Sequence, residues 1–181
     1  MEEKIMKTAL KIAAGLGAVS ALSGLASTAY AQASASATAT GSATIVQSIS
    51  VTASSNLGFG TLVKPTTGTS TIAVGATGSS RSITGGNAVG ANGAGVSSAA
   101  FLVQGEGGSA ISVTVPSTFN MTSGTNTLVV TTASTTTAGN LSGSIGAQGS
   151  FTVGVGGSFP LQTNTASGAY SGNLVVTAQY N

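Results

Sequence analysis

The sequence predicts an all-β protein of short strands, arranged as a β-sandwich or a barrel. Thr, Ser, Val and Ala dominate the chain, whereas the helix-favouring Glu, Lys, Gln and Leu are scarce. Short apolar stretches with period-two alternation recur, and Gly-, Ser- and Asn-rich connections separate them. Because 41% of the residues are hydrophobic and the net charge is only +2, we expect the chain to fold rather than stay disordered.

The first 31 residues differ in composition from the rest of the chain. Lysines form a basic start, an apolar run of small residues follows at 12–26, and Ala29-Tyr30-Ala31 offers a cleavage site. The pattern predicts a secretory signal peptide over 1–31, with cleavage after Ala33 as the second choice. A retained helix is the alternative, but the apolar run is short for a bilayer. We expect export to the periplasm, then to the cell surface or beyond, with no membrane span after processing.

Charged side chains almost disappear after the signal peptide. Lys64, Arg81 and Glu106 are the only ones in residues 32–181, which also lack Cys. Little electrostatic repulsion then separates copies of the chain, and no basic field attracts nucleic acid. We therefore expect the chain to associate with copies of itself and to bind no nucleic acid. Its stability must come from its core or its neighbours, since disulfides are excluded.

A strict alternation begins at Ala33. Odd positions up to 43 carry alanine or glycine, and even positions carry serine or threonine. This predicts a strand with one small apolar face, although a flexible linker has a similar composition. Alanine buries too little area to nucleate a sheet, so the strand must be added to a folded domain. We accordingly divide the chain into a signal peptide at 1–31, an N-terminal extension at 32–44 and a β-sandwich at 45–181.

The body of the domain is predicted to open with a strand at 45–52. A strand around Phe59 follows, where flanking glycines indicate a bulge around a buried ring. Further strands are predicted from apolar alternation near 69–75, 98–105, 109–115, 125–133, 150–155 and 158–163. The longest connection is expected at 85–95.

The final predicted strand starts at Asn173. One of its faces carries Leu174, Val176, Ala178 and Tyr180. An apolar strand at the end of the chain has no following strand to pair with, and an open apolar edge is a template for association. We therefore expect another segment to cover this edge.

Four segments carry a resemblance to a known family: Leu-Gly-Phe-Gly-Thr at 57–61, Phe-Leu-Val-Gln-Gly at 101–105, Phe-Thr-Val-Gly at 151–154, and the terminal stretch 168–181. Together they resemble the bacterial secreted family called domain of unknown function 4402. The family label supplies no activity. The ending, a Gly-x-Tyr turn before an alternating strand with a penultimate tyrosine, is similar to the C-terminus of chaperone-usher pilins and spore-coat-U-like proteins.

The similarity to pilins implies an immunoglobulin-like antiparallel β-sandwich of about 7–9 short strands. It implies that one strand is missing and is donated by the N-terminal extension of the next subunit, with a periplasmic chaperone and an outer-membrane usher as further partners. The donor face would be Ala35, Ala37, Ala39, Gly41 and Ala43. The acceptor face would be Leu174, Val176, Ala178 and Tyr180. Pilin donor strands usually carry larger side chains and many pilins have a disulfide, so the alternative is an extension that folds back onto its own domain.

The sequence argues against an enzyme. A serine nucleophile needs a base, and residues 32–181 contain no His or Asp. Lys64 precedes Pro65 in a predicted turn and is interpreted as a solvated lysine. Glu106 has no second acid beside it and is interpreted as a hairpin tip. Because thiolates, imidazoles and clustered carboxylates are lacking, we predict no catalytic residue, metal or cofactor.

The sequence thus predicts an exported structural subunit of a pilus-like surface filament, assembled by strand donation between subunits. The alternative is a self-complete secreted β-sandwich that acts in adhesion or ligand binding through its Gly- and Asn-rich loops.

Overall fold

The computed structural model describes residues 34–91 and 95–181. The predicted signal peptide at 1–31 and the start of the extension lie outside the described residues. Within them, every element of regular structure is a β-strand. In chain order these strands are β1 Ser50–Ser55, β2 Gly58–Phe59, β3 Leu62–Val63, β4 Thr69–Val74, β5 Arg81–Thr84, β6 Val89–Gly90, β7 Val96–Ser97, β8 Ala99–Glu106, β9 Ala110–Thr114, β10 Thr118–Ser123, β11 Asn126–Ser134, β12 Ala138–Asn140, β13 Gln148–Gln162 and β14 Thr177–Tyr180.

The strands of a compact unit spanning Thr44–Asn181 form antiparallel sheets. The largest sheet has the order β1-β8-β13-β11-β10, with β4 and β5 joined to it through β13. A three-stranded sheet has the order β12-β9-β14, and β2-β7 and β3-β6 form two short pairs. The all-β prediction is confirmed for the described residues.

β13 is the central strand of the largest sheet. Its Val155 pairs with Ala99 of β8, and its Gly157 pairs with Val74 of β4. β11 pairs with β13 across both of these positions, so β8 and β4 must follow one another along the opposite edge of β13. One long strand therefore has two successive partners on one side.

The prediction of two strands at 150–155 and 158–163 is wrong, because β13 is continuous over Gln148–Gln162. The glycines between the two predicted strands make room for packing instead of forming a turn. A side chain on Gly156 would overlap the carbonyl oxygen of Val74, and one on Gly157 would lie 2.7 Å from the side chain of Val130.

The apolar side chains form two core clusters. The first joins the two larger sheets and consists of Ala99, Phe101, Val103, Ile111, Val113, Leu141, Val153 and Val155. The second lies around the other half of β13 and consists of Phe59, Ile72, Val74, Val96, Val130, Phe159 and Leu161. Phe59 is buried, as its glycine neighbours predicted, and its ring meets Phe159 edge to face at 4.9 Å.

Strand boundaries differ from prediction most at the ends of the chain. β1 begins at Ser50 instead of 45, because Ile45 is 92% exposed and packs on nothing that would hold a strand there. β14 begins at Thr177 instead of Asn173. β10 was missed because its mostly polar sequence carries only Phe119 and Met121 as apolar residues.

Candidate functional site

The C-terminal segment, residues 171–181, pairs along one edge with the consecutive strands β9 and β10. β14 pairs with β9 from Thr177 opposite Thr114 to Tyr180 opposite Ile111. Farther back, Ser171 and Thr122 exchange backbone hydrogen bonds of 2.8 and 3.1 Å. One side of the segment is thus held at both ends by consecutive strands.

The opposite edge of β14 faces away from β9. The amide of Asn181 donates to the carbonyl of Ala110 at 3.1 Å, which places the backbone groups of residue 181 on the β9 side. Since these groups alternate along a strand, those of Ala178 and Tyr180 point outward. Among the described strands, β14 ends the three-stranded sheet and β1 ends the largest one, and the two lie next to each other. Two edge strands are therefore neighbours, and we call the strip of surface between their edges the opening.

The predicted apolar face of the C-terminal segment exists. Four half-buried side chains pack against the first core cluster, namely Leu174, Val176, Ala178 and Tyr180. Their neighbours point outward, and Val175 is 67% exposed. Across the opening, Ile49 and Val51 pack against the same cluster. Both rims of the opening are therefore apolar.

A cavity of about 560 Å³ lies between residues 57–64 and 165–170. Its apolar lining includes Leu57, Phe59, Leu62, Met121, Leu128 and Tyr170. Lys64, which is exposed, also lines the cavity. The Tyr170 hydroxyl donates to the carbonyl of Ala166 at 2.9 Å. Sequence reasoning missed this cavity because its lining comes from separated stretches of the chain. The glycines beside Phe59 and before Tyr170 were its only local signals.

Tyr180 and Glu106 form a clasp at one end of the opening. The Tyr180 hydroxyl donates to the carbonyl of Gln47 at 2.8 Å and accepts from the amide of Glu106 at 2.6 Å. The Glu106 carboxylate accepts from the amide of Gln47 at 3.0 Å and from the amide of Gly146. A side chain on Gly105 would overlap the Tyr180 hydroxyl, so the glycine there makes room for the clasp.

The interpretation of Glu106 as a hairpin tip is wrong. The residue is only 2% exposed and ends β8, and the next strand, β9, belongs to a different sheet. The amide of Gly146 and then that of Gln47 lower the pKa of Glu106 from its ordinary value of 4.5, while burial acts in the opposite direction. Two amide donors keep this isolated carboxylate ionised, and it serves to hold the chain together.

Arg81 fixes one wall of the cavity. Its guanidinium donates to the carbonyls of Phe59 at 2.5 Å, Thr61 at 3.1 Å and Ala91 at 3.1 Å. A side chain on Gly90 would overlap the guanidinium. Arginine suits this position because its planar donors can serve several carbonyls at once. The sequence indicated only an isolated charge here.

The predicted donor residues lie in a part of the chain without regular structure. Residues 34–43 are exposed and form no strand in the described chain. They include Ala35, Ala37, Ala39, Gly41 and Ala43. Pairing of these residues with another copy stays a prediction.

Reactive groups are sparse in the described part of the chain. No group of three or more His, Cys, Asp or Glu residues lies there in a geometry that could hold a metal ion. Among the same residues, no helix is long and apolar enough to cross a membrane. The features that remain are the outward edge of β14, the apolar rims and the cavity.

The fold and this site define an all-β domain with an open edge beside its C-terminal strand. The family described as "Domain of unknown function (DUF4402)" matches residues 49–180, and the chain belongs to that family. Searches of curated proteins and of solved structures found no match to the chain.

Proposed function

We propose that the chain is an exported structural subunit of a pilus-like surface filament, assembled when each subunit donates its extension to the next. The observation that carries the proposal is the outward edge of β14, flanked by apolar rims. An added strand would pair with the backbone groups of Ala178 and Tyr180, and it would remove the rims from water.

The proposed domain is an immunoglobulin-like sandwich that lacks its last strand. In support, the three-stranded sheet contributes Ile111 and Val113 to a core shared with Phe101 and Val103 of the largest sheet. Two antiparallel layers on one core are the arrangement of such sandwiches. The added strand would extend the order β12-β9-β14 beyond β14.

Backbone pairing would dominate the energy of donation. Each net hydrogen bond contributes about 0.5–1.5 kcal/mol. The alanines of the extension bury little area, whereas burial of one isoleucine such as Ile45 contributes about 1.5–3 kcal/mol. The low charge on residues 32–181 supports close approach of copies. A periplasmic chaperone that protects the open edge and an outer-membrane usher complete the proposal.

Deletion of residues 33–41 tests the proposal. The donor strand would be lost while the β-sandwich remains, so we expect secreted protein but no filaments by electron microscopy of the cell surface. Filaments of normal length from this variant would refute the donor assignment.

A matched pair of substitutions tests the acceptor. Val176 faces the first core cluster beside the opening, whereas Val175 is 67% exposed on the other face. We expect Val176→Ser to reduce filament formation and Val175→Ser to leave it unchanged. Equal effects of both changes would count against an acceptor role for this face.

The second candidate function is a self-complete adhesion or ligand-binding module. The cavity of about 560 Å³ favours it, because small-molecule sites have this size. A purified protein that stays monomeric and folded at high concentration, and never forms filaments, would favour this function over the first.

A further inference from the structure

The cavity beside Tyr170 has an apolar interior. Some of its lining residues are buried members of the second core cluster, namely Phe59, Phe159 and Leu161. Other apolar side chains in the lining are only half-buried, namely Leu57, Leu62, Met121 and Leu128. Together they form a concave apolar surface that stays partly exposed to solvent in the single chain. A ligand that covers this surface must itself be largely apolar.

The few charged side chains of the domain are distributed unevenly around this cavity. Residues 34–181 contain Lys64, Arg81 and Glu106, and among these Lys64 alone is exposed. Lys64 lines the cavity, and Arg81 donates to the carbonyl of Phe59, which lines it too. The carboxylate of Glu106 accepts from two amides in the clasp, and no acidic side chain is among the described residues that line the cavity. Both cations of residues 34–181 therefore lie at the cavity, and the one acid does not.

The two cations have different roles at the cavity. The Arg81 guanidinium donates to three backbone carbonyls, so its hydrogen bonds hold the wall together. The Lys64 ammonium group belongs to an exposed residue and has three donors that an oxygen anion can accept from. Pro65, the next residue, is fully buried and has a fixed φ, which anchors the backbone from which the lysine extends. Lys64 is therefore the group that can pair with an anionic ligand.

We propose that the cavity binds one amphiphilic anion of the acyl-carboxylate class, with its chain on the apolar interior and its carboxylate at Lys64. The inference names the ligand of the second candidate function and rests on that function, but it does not depend on filament assembly. A volume of about 560 Å³ suits a single small ligand. A neutral hydrocarbon would leave the Lys64 donors without a partner, and a sugar would leave the apolar wall exposed. An acyl carboxylate satisfies both parts of the cavity.

The acyl chain and the carboxylate should contribute unequally to affinity. Burial of each methylene group is favourable, so two further methylenes on the ligand should tighten binding by roughly tenfold. An ion pair that stays exposed to water contributes much less, and its loss corresponds to about a two- to fivefold rise in the dissociation constant. Apolar contact would thus supply most of the affinity, whereas Lys64 would select for an anion.

Calorimetric titration of the native protein with octanoate tests the inference, and octanol serves as the uncharged probe. Lys64→Gln removes the charge from an exposed position, so the fold should not change. We expect this variant to bind octanoate about two- to fivefold more weakly and octanol as before. Lys64→Arg should restore octanoate binding, and decanoate should bind the native protein roughly tenfold more tightly than octanoate.

Two neighbouring residues of β3 provide a matched test of the apolar wall. Leu62 lines the cavity, whereas Val63 is 56% exposed and is not among the lining residues. We expect Leu62→Ser to weaken octanoate and octanol binding equally, and Val63→Ser to leave both unchanged. Circular dichroism of each variant verifies that the fold is kept, and the Lys64 variants still decide the question if Leu62→Ser does not fold.

The outcomes separate this inference from the functions proposed above. Equal binding of octanoate and octanol, with no effect of Lys64→Gln, would overturn the inference and leave a ligand-binding function intact. Octanoate binding that survives both Lys64→Gln and Leu62→Ser would mean a different site, which overturns it as well. If neither compound binds at millimolar concentration, the inference and the second candidate function both fail, and filament assembly is unaffected. Binding to anionic lipid vesicles without binding of octanoate would mean a membrane surface instead of a single ligand.

Discussion

At the scale of single residues, Glu106 joins segments that are far apart in sequence. Its carboxylate binds the amides of Gly146 and Gln47, which lie 40 and 59 positions away. The sequence predicted the isolation of this acid but not its burial. The Gly-Glu-Gly stretch itself does not indicate which distant amides bind the carboxylate, because the positions of those amides depend on how whole strands pair.

Glu106 should determine how stability depends on acid pH. Because the pKa of Glu106 is lowered by folding, its contribution is complete above the unfolded pKa and is lost as pH falls below 4.5 through the folded pKa. Glu106 is the only acidic side chain in residues 32–181, so few other groups titrate in this window. We expect the melting temperature of the native protein, measured by circular dichroism, to decrease as the pH is lowered below 4.5.

Glu106→Gln provides the control. Glutamine keeps the size of the side chain but not its charge, so this variant should melt lower at pH 7 and depend less on pH below 4.5. Identical pH profiles for the two proteins would show that the clasp carboxylate contributes no pH dependence.

Tyr180→Phe should destabilise the domain more than Tyr170→Phe. The Tyr180 hydroxyl joins Glu106 to Gln47, and its loss leaves the part-buried amide of Glu106 without its partner, which costs about 1–3 kcal/mol. The Tyr170 hydroxyl makes one bond, to Ala166, with a net value of about 0.5–1.5 kcal/mol. Chemical denaturation of both variants measures the difference. A smaller loss for Tyr180→Phe would contradict the clasp.

At the scale of strands, the alternating patterns were the predictable part. The face of the C-terminal segment from Leu174 to Tyr180 follows from a period of two and needs no knowledge of partners. The length of β13 was not predictable, because Gly156 and Gly157 have the sequence of a turn. Their role becomes visible only where β4 and β11 approach them.

Gly156→Ala tests this role of the β13 glycines. The new methyl group would overlap the backbone of Val74 and Gly75, which cannot move aside as a side chain can. We expect a loss of about 1–3 kcal/mol in the free energy of unfolding, measured by chemical denaturation. At Gly75 the nearest heavy atom to an added methyl group lies at 3.5 Å. Gly75→Ala should therefore change stability by under about 0.5 kcal/mol, and equal losses would refute the steric argument.

At the scale of the whole molecule, the fold class could be predicted from composition and the cavity could not. Its lining combines β2, β3, β10, β11, β13 and the stretch before Ser171, and only the tertiary structure brings these together. The low charge of residues 32–181 was visible at once, and it favours association among copies. In the proposed filament, the open edge of β14 would be the place of that association.

Hydrogen exchange at the outward amides of β14 tests the central claim most directly. Donation would pair the backbone of Ala178 and Tyr180 with the strand of another copy, whereas the Asn181 amide already binds Ala110 in the single chain. We predict that the amides of Ala178 and Tyr180 exchange quickly in the monomer and slowly in the filament, while that of Asn181 changes little. Equally fast exchange of the outward amides in both states would contradict strand donation at this edge.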